Sequence, residues 1–124
     1  MTDKHKISID DLVHISKKLI PIYFLDNNIY SLISLAYMTI STYASKHRLT
    51  TQMRIDLTIE FLPDLLNKLF DNEEFDYYVY KKLNNELHQK FEELPMIIRN
   101  YIHLNKQSRD HLQHHKKEDS CIIS

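Results

Sequence analysis

The sequence predicts an all-α protein, a compact bundle of about five helices, and three observations predict it. The chain of 124 residues contains no glycine, and tight β-hairpins lean on glycine for their positive-φ turn positions. The stretch from Asn27 to Ser45 carries no charged residue, so a helix there is apolar on most sides and belongs in a core. Elsewhere apolar residues recur three and four apart, the period of a helix with one buried face. Hydrophobic residues make up 43% of the chain, enough for one domain with a modest core. The pattern divides the chain into a disordered N-terminus (1–6), a helical domain (7–104), a flexible tether (105–120) and a terminal box (121–124).

The first helix is expected from about Ile9 to Phe24, with Ser8 and Asp11 forming a capping box and Pro21 kinking or interrupting it. Asp26-Asn27-Asn28 then makes a turn. The uncharged segment follows as the buried central helix, Ile29 to Ala44. Its length alone would admit a membrane span, but Asn28, Ser31, Ser34, Thr39 and the tyrosines would each need a partner in lipid.

Residues Met53 to Phe61 alternate apolar and polar like a strand. Ile55, Ile59, Leu62, Leu66 and Leu69 make a helical stripe instead, and no convincing strand lies nearby to pair. The stripe decides for a helix, capped by Thr50 or Thr51 and kinked near Pro63. Asp71, with Glu74 three residues on, is the expected cap of the next helix. That helix aligns Phe75, Tyr78, Val79, Leu83, Leu87, Phe91 and Leu94 on one face. Pro95 suits the first turn of a final helix bearing Ile97, Ile98, Tyr101 and Ile102. Without glycine, left-handed helix ends fall to Asn27, Asn28, Asn72 and Asn105. A Pro-centred echo links Glu60–Leu66 with Glu92–Ile98, and more faintly with Leu19–Phe24. Helical-repeat arrays show such echoes, although chance in an Ile- and Leu-rich chain is the simpler account.

The missing glycine also excludes chemistry. Phosphate-cradling loops, dinucleotide fingerprints, nucleophile elbows and EF-hand loops each need glycine at a fixed place. Sixteen Lys and Arg stand against 17 Asp and Glu, so no basic field points to nucleic acid. One cysteine excludes an intramolecular disulfide and suits a reducing compartment. Met1 to Lys6 leads into no signal-peptide core, and Thr2 stands where N-myristoylation needs glycine.

The sequence ends Cys121-Ile122-Ile123-Ser124. A cysteine, two aliphatics and a small polar terminus resemble the C-a-a-X box of prenylated proteins, and serine in the last place resembles the farnesyl class. The resemblance covers the tail alone; the helical domain resembles no nameable family, and the G-x-x-x-x-G-K-[ST] of small GTPases is absent. It implies a farnesyltransferase that recognises Ile122, Ile123 and Ser124 and attaches farnesyl to Cys121. Removal of the last three residues and carboxyl methylation of Cys121 would follow. No other cofactor is expected. The tether offers Lys106, Arg109, Lys116 and Lys117 to an anionic cytosolic membrane surface, against Asp110, Glu118 and Asp119.

The remaining candidates are weaker. His111, His114 and His115 have metal-compatible spacing, but no cysteine or ordered carboxylate completes a site, and a solvated tail explains them. Arg99 and His103 share a helical face. Helical ribonucleases of the HEPN superfamily use an Arg and a His with four to six residues between; here three intervene, so the resemblance fails at the point that matters. Tyr23, Tyr30, Tyr37 and Tyr43 fit core and rim positions, while Tyr77, Tyr78 and Tyr80 fit a partly exposed rim open to a protein partner. These observations combine into one expectation. The protein is a non-catalytic, prenyl-anchored adaptor or regulator that brings a protein partner to a cytosolic membrane face and exchanges with the cytoplasm. A pathogen or viral protein borrowing a host farnesyltransferase fits the same pattern. The alternatives are a soluble helical interaction module with an accidental terminal cysteine, and a small helical enzyme using Arg99 and His103.

Overall fold

The structure, a computed structural model, describes residues 8–105. It is all-helical. Helix α1 spans Ile9–Tyr23, α2 Ile29–Ala44, α3 Thr51–Asp71 and α4 Tyr77–Lys90. A single 3-10 turn, Phe91–Glu93, leads into α5, residues 94–105.

Each start has a local chemical cause. Free N–H groups at a helix start need acceptors, and short polar side chains supply them. Ser8 accepts from the Asp11 N–H at 3.3 Å, Asn28 from Ser31 at 3.0 Å, Thr50 from Met53 at 3.1 Å and Asp76 from Val79 at 2.9 Å. Pro95 falls in the first turn of α5, where its missing N–H costs no intrahelical bond.

The uncharged helix is the centre of the bundle. Nine of the sixteen residues of α2 are buried, and α2 packs against α1, α3 and α4. The α3 stretch that alternates in sequence buries Ile55, Thr58, Phe61, Leu62, Leu65, Leu66 and Leu69, the three-and-four spacing of a helix. Each large aliphatic taken from water contributes about 1.5–3 kcal/mol. The buried residues Thr39 and Ser16 bond back into their own helices, Thr39 to the Leu35 carbonyl at 2.7 Å and Ser16 to that of Val13 at 2.8 Å. Polar ties clamp the loops. Glu86 of α4 accepts from the Ile29 N–H at 2.9 Å, a carboxylate at the positive end of the α2 dipole. Lys17 of α1 donates to Asn72 at 2.9 Å.

Several expectations need correction. The helix α1 runs through Pro21 and ends two residues later. None of Asn27, Asn28, Asn72 or Asn105 takes the left-handed conformation; Glu73, with φ 63°, does. Its N–H reaches the Phe70 carbonyl and that of Glu74 reaches Leu69, a Schellman closure that fixes the left-handed residue one place beyond Asn72. Asp76, not Asp71, caps α4, because α3 continues through Asp71. On the face assigned to α4, Leu83, Leu87 and Leu94 are buried but Tyr78 and Phe91 are exposed; Tyr78, five residues before Leu83, lies about 140° around the helix from the buried stripe. Asn105, expected in the tether, is the last described residue of α5. The three Pro-centred echoes sit near the end of α1, within α3 and at the start of α5. Those are not equivalent positions of a repeat.

Candidate functional site

A groove of about 400 Å³ opens between α2 and α5. Its α2 side is the stripe Tyr30, Ile33 and Ser34, and its α5 side includes Met96, Ile97, Tyr101 and Leu104. Ile33 is buried in the floor, while Tyr30, Met96 and Leu104 are 52%, 56% and 64% exposed. Glu93 and Asn100 are the polar edge.

One aromatic contact joins the two walls. Tyr37 of α2 meets Tyr101 of α5 edge to face, with ring centroids 6.0 Å apart, the geometry that ring quadrupoles favour. Ser34 donates to the Tyr30 carbonyl at 3.1 Å. Burial pushes the Tyr101 hydroxyl above the ordinary tyrosine range, and its hydrogen bond with Ser34 works in the opposite direction. At neutral pH this wall is therefore uncharged. Lys90 lies over the Tyr30 ring, 5.7 Å from its centroid. The arrangement offers an apolar floor, aromatic and thioether walls and one acidic edge. That is suited to an unbranched or isoprenoid hydrocarbon or to apolar side chains, and its volume lies in the range of roughly 300–1,000 Å³ typical of small-molecule sites.

The residues singled out in the sequence stand elsewhere. Cys121, Ile122, Ile123, Ser124, the tether cations Lys106, Arg109, Lys116 and Lys117, and His111, His114 and His115 lie outside the described residues. Arg99 and His103 are both exposed on α5, and neither lines the groove. Arg99 instead donates to Gln52 of α3 at 2.6 Å, and Gln52 donates to Asp56 at 3.0 Å. Among the described residues no group of three or more His, Cys, Asp or Glu is placed to hold a metal ion. No described helix is long and apolar enough to cross a membrane. Tyr77 and Tyr78 are exposed, whereas Tyr80 stacks on Phe70 at 4.4 Å and donates to Asn67 at 2.8 Å.

Sequence reasoning missed the groove. The expected final helix bore Ile97, Ile98, Tyr101 and Ile102; the structure turns Ile98 fully inward and leaves Met96 and Leu104 outside. The available signal was the apolar excess of α5: residues 94–104 carry more hydrophobic side chains than one buried stripe can use. No protein-family model, curated protein or solved structure matches this sequence.

Proposed function

We propose that the protein is a non-catalytic, prenyl-anchored helical adaptor that brings a protein partner to a cytosolic membrane face. The observation that carries this reading is Cys121-Ile122-Ile123-Ser124, which resembles a farnesylation box. The reading requires Ser124 to bear the terminal carboxylate. In the step it implies, the Cys121 thiolate attacks the first carbon of farnesyl diphosphate. A C–S bond forms, the C–O bond to diphosphate breaks, inorganic diphosphate leaves, and the thiol proton passes to solvent. The helical domain supports the adaptor half of the reading: its exposed Tyr77, Tyr78 and Met96 are of the types enriched at interfaces.

The test is the intact mass of the full chain expressed in a eukaryotic cell. The expected species has gained one farnesyl group, lost Ile122-Ile123-Ser124 and gained a methyl ester. An unmodified mass would refute the reading and leave a helical interaction module without a lipid. The α2–α5 groove favours that module as the second reading, because it offers an apolar surface with or without an anchor.

A further inference from the structure

We propose that the groove between α2 and α5 is an intramolecular dock for the isoprenoid on Cys121, which leaves the groove to enter a membrane. The inference rests on the prenylation reading and deepens it by naming where the lipid sits when no membrane holds it.

Position is the first argument. Leu104 lines the groove and precedes Asn105, the last described residue, so the described chain ends at the groove's own edge. Residues 106–120 separate Asn105 from Cys121. Even fully extended, such a segment spans no more than about 55 Å, and every point of the groove lies within that reach. The dock and its ligand therefore belong to one molecule, with an effective concentration on the order of millimolar for a short linker.

Composition is the second. Leu112 is the sole apolar residue from 106 to 120, so no hydrophobic competitor of any size precedes Cys121. Met96, Leu104 and Tyr30 remain more than half exposed in the described structure, and an isoprenoid laid across them removes hydrocarbon of both partners from water.

Charge is the third, and it selects the occupant. Glu93 is at the edge of the groove, and Glu92 beside it is exposed. Among the described residues at this edge, these two carboxylates outnumber the cation Lys90 over Tyr30. An acidic edge disfavours laying this face flat on an anionic leaflet. It does nothing against a neutral hydrocarbon delivered by the chain itself. One lipid chain holds a membrane only marginally, so a dock of modest affinity competes effectively with the bilayer.

The experiment uses the full chain alkylated with a farnesyl halide at Cys121, the only cysteine. The thiolate displaces halide, and the C–S bond replaces the C–halogen bond. The first readout is the methyl resonance of Met96. The second is binding to neutral phosphatidylcholine vesicles, compared with a Met96→Glu, Leu104→Glu variant carrying the same group. Both substituted side chains are exposed, so the variant keeps the fold. The expected results are a concentration-independent shift of the Met96 methyl on alkylation, absent in Cys121→Ser, and vesicle binding about tenfold tighter for the variant. An unmoved Met96 signal with equal vesicle binding overturns the dock and leaves the prenylation reading intact. A shift that grows with protein concentration also overturns it, by placing the lipid in a second molecule. An unmodified mass from eukaryotic cells overturns the prenylation reading and, with it, the dock's use in the cell.

Discussion

The helices α2 and α5 are both rich in apolar and tyrosine residues, and the bundle treats them oppositely. The helices α1, α3 and α4 pack against α2, with α5 meeting it at Tyr37, and nine of its sixteen residues are buried. In α5 only Leu94 and Ile98 are buried, although Met96, Ile97, Tyr101, Ile102 and Leu104 are no less apolar than the buried residues of α2. The difference is one of coverage. A helix at the centre of a bundle has partners for every stripe, whereas a helix at its edge has partners for one. The uncovered stripe of α5 is where an apolar surface becomes a groove.

The comparison can be broken most forcefully at Ile33 and Leu104. Ile33→Asp places a carboxylate in a site 1% exposed. Such a group costs several kcal/mol, comparable with the whole stability of a small domain, so the variant is expected to lose its cooperative thermal transition by circular dichroism. Leu104→Asp, at a site 64% exposed, is expected to change stability by no more than about 0.5–1 kcal/mol. If the two melt alike, the contrast between α2 and α5 is wrong.

Next in size is Cys121→Ser, which is expected to move the protein from the membrane to the cytosolic fraction of a eukaryotic cell while leaving the melting curve unchanged. A variant that stays on membranes removes the lipid from the account.

The third prediction concerns charge. From 106 to 120 four basic residues face three acidic ones, a balance too slight to hold a membrane at about 1 kcal/mol per cation. Residues 111, 114 and 115 are histidines, a side chain that ordinarily gains its proton near pH ~6.5. Binding of the processed protein to anionic vesicles is expected to be weak at about pH 7.5 and clearly stronger at about pH 6. Tight, salt-resistant binding at the higher pH would instead reveal a membrane-inserting face in the helical domain.

The smallest effect sits at Tyr101, where the two helices meet. Burial holds the neutral phenol in the folded state. Its contribution is fully present below the unfolded tyrosine value of about 10 and is lost as pH rises through the higher folded value. Raising the pH past about 10 should therefore destabilise the parent more than Tyr101→Phe, which has nothing to ionise. Equal alkaline slopes in parallel melts would show that this ring is freely solvated.

Local chemistry explains what was legible from residues alone. An uncharged run of helical length belongs at the centre of a helical bundle, so the burial of α2 followed from its composition. The stripe through Ile55, Leu62, Leu66 and Leu69 outweighed the alternation around it because a lone strand has no partner. Ser8 was a recognisable cap because it directly precedes a helical pattern, and the cap of α3 narrowed to Thr50 or Thr51, of which the structure uses Thr50. The cap of α4 was not recognisable, since Asp71 and Asp76 both have the right chemistry, and only the end of α3 decides between them. The terminal box was legible as a motif and as nothing more.

Residue order alone thus determined the helical class, the central helix and the identity of Cys121 as the sole thiol. These depend on periodicity, charge and residue type, which are properties of the chain in one dimension. Tertiary structure alone decided that Glu73 bears the left-handed turn, that Arg99 is engaged with Gln52, and that the outer stripe of α5 stays open beside Tyr30 and Ile33. The physical reason is that a stripe's spacing shows it is apolar, but whether it is covered depends on how many neighbours the bundle has to place against it.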